Sequence, residues 1–339
     1  ILKNYGKPFL IAEAGINHNG DINQALKMVE VAKASGVDAI KFQTFRADEF
    51  CRDKEQTFTY KSQGKEVTEL MFEMFKRHEF RVEEWYQIKQ KCDSENIFFL
   101  STPQNRSDLD LLLKLEISAI KVGSDDFTNL PLLEDYATTK LPMIVSCGMS
   151  DMAEVFQALE AIGTFEGYPT ILLLCTSEYP TPPENVNLLK LETLKNSFPG
   201  LVVGFSDHTQ GTMASSLAVG FGAVVFEKHF TMDNDLEGPD HWFSENPTGL
   251  VNWTAAIHNS FKMMGSRVIR PSKGEAENKK EFQRVVVAKK YIQLGDVFDM
   301  DNLTVSRVSG GKGFPPSFLN TILGLKSNKI YSKNAAITI

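Results

Sequence analysis

The sequence is poor in the features that mark membrane and nucleic-acid-binding proteins. No apolar run approaches the roughly 18 residues that a membrane-spanning helix requires, so we predict no membrane span and no membrane partner. Basic residues are outnumbered, since 36 Lys and Arg against 43 Asp and Glu give a net charge of −7. A nucleic-acid-binding face usually carries a basic surplus, so nucleic acid is not an expected partner.

Cysteine is also scarce. The four cysteines show neither a CxxC spacing nor the pattern of a secreted disulfide framework. The N-terminal stretch has no signal-peptide pattern. These absences lead us to expect reduced cysteines and a cytoplasmic location.

What the chain does contain is a globular composition over 339 residues, of which 42% are hydrophobic and 23% charged. This length exceeds that of an ordinary single-core domain. It suits a barrel of about 250 residues that is followed by a small second domain.

Short apolar runs rich in β-branched residues alternate with amphipathic stretches such as "INQALKMVEVAKASG" and "DMAEVFQALEAIG". Asp151 is a predicted helix cap, and Gly36 and Gly163 are predicted helix stops. Because parallel strands need crossover helices, eight such units favour a (β/α)8 TIM barrel, with a doubly wound sheet as the competing architecture. The predicted strands are Phe9–Glu13, Ala39–Gln43, Ile97–Thr102, Ala119–Gly123, Met143–Ser146, Ile171–Thr176, Val202–Ser206 and Val224–His229.

The pattern divides the chain into a barrel domain at residues 1–265, a polar linker at 266–283 and a mostly β domain at 284–339. So small a domain is marginally stable alone, and we expect it to dock on another surface. Residues 45–80 form an insertion after the second strand that is long for a βα connection. We predict that this insertion forms part of a lid over the catalytic face.

In a TIM barrel the active site lies at the carboxyl ends of the strands. Lys41 and Lys121 stand at two of these ends, where an ammonium group without an anionic partner is costly. The partner is either a structural carboxylate, Glu13 or Asp126, or a bound phosphate or carboxylate. Serine and threonine hydroxyls follow most of the other strands and would add neutral hydrogen bonds, so a small phosphorylated acid is a natural ligand.

Two of the six histidines, His208 and His229, follow neighbouring strands. Their ring nitrogens could converge from adjacent walls and hold a divalent ion with open positions, which suits Mn²⁺ or Mg²⁺ better than a closed zinc site. His18 is expected to pack in a tight turn, and His78 to lie on the surface. Asp240, in "GPDHWFS", is either a turn cap or a ligand for substrate hydroxyls.

Nine motifs together resemble the sialic acid synthase family, which includes the N-acetylneuraminate, legionaminic acid and pseudaminic acid synthases. In chain order the motifs are "IAEAGINHNGD", "KFQTF", "LSTP", "IKVGSDD", "IVSCGM", "CTSEYPTPP", "GFSDHT", "EKHFT" and "GPDH". The tail resembles the antifreeze-like (SAF) domain that this family carries at its C-terminus. The resemblance therefore covers nearly the whole chain.

The resemblance implies a transferase of nonulosonic acid biosynthesis that joins phosphoenolpyruvate to an N-acetylmannosamine-type sugar and releases phosphate. It implies a divalent cofactor, Mn²⁺ first and Mg²⁺ or Co²⁺ as alternatives, bound by His208 and His229. It also implies a domain-swapped homodimer in which the SAF domain covers the partner's active site.

Residue roles follow from the same resemblance. Glu13, Lys121, His208 and His229 are the implied catalytic residues. The implied phosphoenolpyruvate ligands are Thr102, Lys121, Ser124, Ser146, Ser177 and Ser206. The implied sugar ligands are Lys41, Gln43, Asp126, Tyr179, Asp240 and Arg307, the last reaching the sugar's acetamido group from the partner subunit.

Alternatives remain open at this point. The sugar is either N-acetylmannosamine, giving N-acetylneuraminate, or 2,4-diacetamido-2,4,6-trideoxymannose, giving legionaminic acid. A deoxyheptulosonate-type synthase would need a second basic cluster for the sugar phosphate, where this chain offers Gln43, Tyr179 and Asp240. A non-catalytic glycan-binding protein would not need a metal with open positions.

Overall fold

The computed structural model describes residues 7–338. The chain divides into two compact units, one ending at Gly265 and the other beginning at Ser266. Among residues 7–338, no helix combines the length and the apolar character needed to cross a membrane.

The first unit is an α/β barrel. Its strands and helices in chain order are β1 (Phe9–Gly15), α1 (Ile22–Ala34), β2 (Ala39–Thr44), α2 (Ala47–Phe50), β3 (Thr57–Ser62), β4 (Lys65–Leu70), α3 (Met71–His78), α4 (Val82–Ser94), β5 (Phe98–Pro103), α5 (Arg106–Lys114), β6 (Ile120–Val122), α6 (Leu130–Ala137), β7 (Met143–Ser146), α7 (Met152–Ile162), β8 (Thr170–Cys175), α8 (Pro183–Val186), α9 (Lys190–Ser197), β9 (Val202–Asp207), α10 (Met213–Gly220), β10 (Val225–His229) and α11 (Pro247–Met264). Short 3-10 helices at Thr164–Glu166 and His241–Phe243 complete the unit.

Eight parallel strands make one sheet in the order β5-β2-β1-β10-β9-β8-β7-β6. The first and last strands along the chain, β1 and β10, pair with each other, with Phe9 opposite Val225. Cα atoms of β5 and β6 come within 8 Å of one another, so the barrel is nearly closed. All eight strands predicted from sequence are present, each within two residues of its predicted bounds.

Local signals explain where the helices begin and end. The Asp151 side chain accepts hydrogen bonds from the backbone of Ala153 and Glu154, and Glu154 reciprocates, which forms a capping box. Gly163 ends α7 with a φ of 82°, a left-handed conformation that glycine adopts at no steric cost. The predicted cap and stop of this helix are therefore confirmed.

The insertion after β2 contains a hairpin of its own. Strands β3 and β4 pair antiparallel through a turn at Gln63 and Gly64, both of which have positive φ angles. Helices α2 and α3 flank the hairpin. We call residues 45–80 the lid segment.

The second unit contains α12 (Lys273–Phe282), β11 (Val285–Ala288), β12 (Leu303–Ser306) and α13 (Leu319–Ile322). Strands β11 and β12 pair antiparallel around a small core of their own that includes Val286, Ile292 and Phe298. Helix α12 lies within the segment predicted as a linker. Its sequence, "KGEAENKKEF", is polar enough to look like a linker, but Ser272 and Glu275 form a capping box and most of its residues favour helix.

Candidate active site

The site begins with the two-residue periodicity of the barrel strands. Successive side chains on a strand point to opposite faces, so residues two apart share the barrel interior. A lower layer of apolar side chains fills the interior, with Ile11, Ala39, Leu100, Ala119, Ile144, Leu173 and Val225 among its members. Two residues further along the same strands stand Glu13, Lys41, Thr102, Lys121, Ser146, Cys175 and Glu227. A polar layer thus rests on an apolar one at the carboxyl end of the barrel.

A cavity of about 430 Å³ opens above this polar layer. Most of the residues predicted from sequence to form the site line it together. They are Glu13, Lys41, Gln43, Thr102, Lys121, Ser124, Ser146, Ser177, Tyr179, Ser206, His208, His229 and Asp240.

Two lysines and two glutamates form a buried charge network at the floor. Lys41 Nζ lies 2.8 Å from Glu13 Oε2 and 3.8 Å from Glu227 Oε2. Lys121 Nζ lies 3.7 Å from Glu227 Oε1 and donates to Ser146 Oγ at 2.8 Å. Lys41 therefore has the structural carboxylate partner Glu13, whereas the partner of Lys121 is Glu227 rather than Asp126.

Burial and charge together set the proton affinities of this network. Burial raises the pKa of Glu13 despite the opposing charge of Lys41. Burial alone would also raise the pKa of Glu227, but Lys121 and Lys41 lower it below its usual value. Burial lowers the pKa of Lys121, and Glu227 offsets part of that shift. Burial thus makes Glu13 less readily ionised than an exposed carboxyl, so it offsets the two lysines less fully, which suits the floor to an anionic ligand.

Hydroxyl groups converge beside the floor because Gly148 leaves room for them. A Cβ at this position would lie 2.5 Å from Ser177 Oγ and 2.7 Å from Ser124 Oγ. Ser177 Oγ is buried and has no hydrogen-bond partner among the described residues. A buried hydroxyl without a partner is costly, so this group is suited to bind a ligand.

His208 and His229 face each other with ring centroids 5.3 Å apart. His208 Nδ1 lies 2.7 Å from the Thr176 carbonyl oxygen, which can only accept, so Nδ1 carries the proton and Nε2 keeps a lone pair. Burial lowers the pKa of His229 well below its usual value, and its Nδ1 is buried without a hydrogen-bond partner in the described chain. Asp240 Oδ2 lies 3.7 Å from that nitrogen.

The side chains of His208, His229 and Asp240 fit a divalent ion for which the protein supplies only some of the ligands. Two imidazoles stand near a carboxylate, and the backbone bond of His208 orients its ring as outer partners of metal-bound histidines do. Residues 7–338 contain no group of three or more His, Cys, Asp or Glu side chains arranged to hold a metal. Water and substrate would therefore have to supply the remaining ligands.

The lid segment closes the other side of the cavity, as the sequence predicts. It contributes Phe50, Phe58, Met74 and Phe75, which we call the lid wall. The position of the lid segment is fixed by contacts with the loop after β10. Gly238 N donates to Ser62 Oγ at 3.1 Å, and Gln63 Nε2 donates to the Asp235 carbonyl at 2.8 Å.

A second junction holds the end of α3. Asn19 Oδ1 lies 3.1 Å from His241 Nε2 and 3.4 Å from His78 Nε2, while Asn19 Nδ2 donates to the Glu237 carbonyl at 2.9 Å. His78 is only 3% exposed, so the expectation that it lies on the surface is wrong. The apolar face of α3 turns inward and carries His78 with it. His18 packs in its turn as expected, stacked on Phe80 at 4.2 Å.

Known proteins are similar to this chain in sequence and in fold. Residues 28–269 match the sequence model of the NeuB family. The chain belongs to the NeuB family. It is an enzyme, a transferase, since its relatives in that family are named synthases.

Two curated relatives and one solved structure illustrate the likeness. N,N'-diacetyllegionaminic acid synthase of Legionella pneumophila is 37% identical over 320 residues, which is 93% of this chain and 89% of that protein. Human N-acetylneuraminate-9-phosphate synthase is 34% identical, covering 94% and 88% of the two chains. The crystal structure of N-acetylneuraminic acid synthetase from Leptospira borgpetersenii in complex with citrate is 32% identical with a TM-score of 0.72, covering 81% of this chain and 90% of that one.

Two of the residues that the resemblance assigned to sugar binding do not line the cavity of this NeuB-family chain. Asp125 lines the cavity where Asp126 was expected, because Asp126 turns away to accept from Asn129 Nδ2 at 3.0 Å. Arg307 belongs to the second unit, where its Nε donates to the Phe282 carbonyl at 3.0 Å. Its assignment to a partner's active site stays a prediction.

Sequence reasoning also missed several residues that line the cavity of this NeuB-family chain. They are Glu227, Asp125, Gln104, Cys175 and the lid wall. The alternation along β10 carried a signal for Glu227, because it follows the apolar residue Val225 by two positions in the same register as the other floor residues. No comparable signal marked the lid wall, whose position depends on how the lid segment folds back.

Proposed function

We propose that this enzyme condenses phosphoenolpyruvate with an unphosphorylated N-acetylmannosamine-type sugar, forming a nonulosonic acid and releasing phosphate. The observation that carries the proposal is the charged floor of Lys41, Lys121, Glu13 and Glu227 directly below the paired imidazoles of His208 and His229, within one cavity.

The floor and its hydroxyls suit phosphoenolpyruvate. Lys121 supplies positive charge at 2% exposure, where little water screens it. The hydroxyls of Ser124, Ser146, Ser177 and Ser206, with Thr102, donate to phosphate and carboxylate oxygens without adding charge. This arrangement stabilises negative charge on the leaving phosphate throughout the reaction.

His208 and His229 would hold the divalent ion, for which we propose Mn²⁺, with Mg²⁺ or Co²⁺ as alternatives. When bound, such an ion supplies Lewis-acid polarisation to an aldehyde oxygen. The ring centroid of Tyr179 lies 4.2 Å from that of His208, with the two rings tilted by 35°, and Tyr179 lines the same cavity. Asp240 Oδ2, 3.7 Å from His229, is within reach of a sugar hydroxyl bound there.

In the proposed reaction the methylene carbon of phosphoenolpyruvate forms a bond to the aldehyde carbon of the open-chain sugar. The aldehyde oxygen takes a proton, and water adds to the second carbon of the former phosphoenolpyruvate. The C–O bond to phosphate then breaks, releasing inorganic phosphate and leaving a keto acid. Burial raises the pKa of Glu13, which favours its protonated form more than in an exposed carboxyl, so it is our candidate to protonate the aldehyde oxygen or to orient the water.

Two observations favour a neutral sugar. Among residues 7–338, the basic side chains that line the cavity are Lys41 and Lys121, both at the floor, and the two histidines, so these residues form no second basic cluster for a sugar phosphate. The outer part of the cavity offers Gln43, Tyr179 and Asp240 instead. N-acetylmannosamine, which would give N-acetylneuraminate, and 2,4-diacetamido-2,4,6-trideoxymannose, which would give legionaminic acid, both satisfy this condition.

We further propose that the second unit is an antifreeze-like domain that covers the partner's active site in a homodimer. The support is its size and its separate core, together with the exposed side chain of Arg307. If so, mixing an Arg307→Ala protein with a Lys121→Ala protein should restore activity, because one mixed site retains both residues. No recovery after demonstrated subunit exchange would contradict the sharing of sites.

The direct test is phosphate release from phosphoenolpyruvate with N-acetylmannosamine and Mn²⁺. We expect release that depends on both the sugar and the ion and that stops on chelation. Release only with a phosphorylated aldose would indicate a deoxyheptulosonate-type synthase. No release with any aldose, together with glycan binding, would indicate a non-catalytic protein.

A further inference from the structure

The layer between the barrel strands and the surrounding helices is apolar along most of the strands. Its outward-facing residues, such as Phe42 on β2, Val122 on β6 and Leu174 on β8, belong to one large hydrophobic core. At the carboxyl ends of β9 and β10 this layer instead contains Asp207 and Lys228, which are 0% and 2% exposed. Lys228 Nζ lies 3.0 Å from Asp207 Oδ2. Apolar residues in place of such a pair are often neutral or stabilising, so stability alone does not account for it.

Asp207 and Lys228 each precede one histidine of the site. Asp207 is followed by His208 and Lys228 by His229, and the two charged residues are partners in the pairing of β9 with β10. Because successive side chains on a strand point to opposite faces, the ion pair lies outside the barrel wall while both imidazoles face the cavity. The pair therefore joins the two strands at the level of the histidines.

The same pair holds the turn that follows β9. Asp207 Oδ1 accepts from the backbone nitrogen of Thr209 at 2.9 Å and from its hydroxyl at 2.7 Å. Lys228 Nζ donates to the carbonyl oxygen of Thr209 at 2.6 Å. His208 thus lies between two residues that are both bonded to the side chain of Lys228. The chain on each side of one imidazole is fixed to the residue that precedes the other.

The surrounding helices hold the pair in turn. Ser215 Oγ, on α10, donates to Asp207 Oδ2 at 2.6 Å and accepts from Trp253 Nε1, on α11, at 2.9 Å. Glu245 Oε1 lies 3.8 Å from Lys228 Nζ. Both carboxylate oxygens of Asp207 therefore have partners. A buried polar network that is fully satisfied in this way restricts the geometry of the chain around it.

We propose that Asp207 and Lys228 are positioning residues, which set the separation and orientation of the His208 and His229 imidazoles for the divalent ion. This inference rests on the proposed function and deepens it. Neither side chain contacts the cavity, so each acts through the histidine that follows it. Outer partners hold metal ligands in place in the same way, and their loss typically weakens metal affinity by about tenfold to a hundredfold.

The test is a neutral double variant, Asp207→Asn with Lys228→Met, which removes both charges with little change of volume. An amide oxygen at position 207 can still accept from Thr209, and no charge is left buried alone. Calorimetric titration with Mn²⁺ measures binding without any need for turnover. We expect the dissociation constant for Mn²⁺ to rise by about tenfold to a hundredfold. The thermal unfolding midpoint and the KM for phosphoenolpyruvate should stay close to those of the parent protein.

Two further variants separate positioning from stability. Lys228→Met alone leaves the Asp207 carboxylate buried without its cation, so it should lower the unfolding midpoint more than the double variant does. It should nevertheless weaken Mn²⁺ binding to a similar extent. Lys91→Met removes an ion pair with Glu30 that joins α4 to α1 outside the cavity, and it should leave Mn²⁺ affinity unchanged.

Failure of the inference differs from failure of the proposed function. An Mn²⁺ affinity in the double variant equal to that of the parent overturns the inference and leaves the proposed reaction intact. Loss of folding in the double variant, or Mn²⁺ affinities that follow the unfolding midpoints across the variants, would assign the pair to stability and overturn the inference too. A parent protein that neither binds Mn²⁺ nor releases phosphate overturns the proposed function, and the inference with it.

Discussion

Glu227 Oε1 and Lys121 Nζ lie 3.7 Å apart across the cavity floor, and neither residue is more than 5% exposed. Each charge therefore depends on the other to remain ionised in a site that water hardly reaches. Removing one partner would leave the other charge buried without a counter-charge. Such a change destabilises a protein more than replacing both partners with apolar residues does.

Replacing Lys121 with methionine should raise the KM for phosphoenolpyruvate on the order of a hundredfold, because truncating one member of a buried charge pair costs about 2–5 kcal/mol. Steady-state kinetics with phosphoenolpyruvate varied would measure this change. Lys27→Met, at an exposed ion pair on α1, is the matched control. An unchanged KM in a folded Lys121→Met protein would remove this residue from the anion site.

The histidine pair makes a separate prediction. His208→Ala should abolish Mn²⁺-dependent turnover and weaken Mn²⁺ binding, while the thermal unfolding midpoint stays close to that of the parent. Calorimetric titration with Mn²⁺ reports binding without any need for turnover. His258→Ala, on α11 and outside the cavity, should alter neither property. Undiminished Mn²⁺ binding by His208→Ala would exclude it as a ligand.

Asp125 and Asp126 offer a comparison between adjacent residues of the same type. Asp125 lines the cavity, whereas Asp126 accepts from Asn129. Asp125→Asn should therefore raise the KM for the sugar several-fold more than Asp126→Asn does, with little effect on the KM for phosphoenolpyruvate. The opposite ranking would restore the assignment that the family resemblance suggested.

Asp108, buried in the first turn of α5, makes stability depend on pH. Burial raises its pKa from 3.8 to about 6 in the folded protein, so the unfolded chain loses this proton first as pH rises. The free energy of unfolding should therefore fall between about pH 4 and pH 6 by at most about 3 kcal/mol from this group. Asp108→Asn should remove that fall, which urea titrations at pH 4 and pH 7 would detect. Parallel pH profiles for the two proteins would contradict it.

Asn19 links the end of the lid segment to the loop after β10 through its contacts with His78 and His241, so we expect it to restrain the motion of the lid segment. Asn19→Ala removes the oxygen beside His241 and His78 and should destabilise the protein by about 1–3 kcal/mol, since buried polar groups lose their partner. Hydrogen exchange should quicken in β3 and β4. Asn19 has a φ of 52°, so Asn19→Gly separates loss of the side chain from backbone strain. Unchanged exchange in both variants would show that the junction does not restrain the lid.

The barrel could be predicted from sequence because its strands are short continuous apolar runs bounded by helices with clear stops. The polar residues at the strand ends followed from the same pattern, as Lys41, Lys121, His208 and His229 illustrate. Their gathering in one cavity follows from the architecture, since all eight strands end on one face.

Other features depend on tertiary placement that no local pattern encodes. The choice of Asp125 over Asp126 depends on how the chain bends after the three-residue strand β6. The burial of His78 depends on which face of α3 turns inward. Helix α12 resembles a linker in sequence because its residues are mostly charged or polar and none of them is buried. The same residues favour helix formation, which the sequence pattern alone did not distinguish from a linker.

The apolar layer beneath the site also sets how deep in the barrel the charged groups of the floor lie. Ala39 and Ala119, both nearly inaccessible, stand two residues before Lys41 and Lys121 on the same strands. Side chains this small let the lysine stems settle low in the barrel. A larger residue at either position would lift one ammonium toward the mouth without changing any group that touches a ligand. The depth of the proposed anion site is thus adjustable from below, by residues that would never contact the substrate.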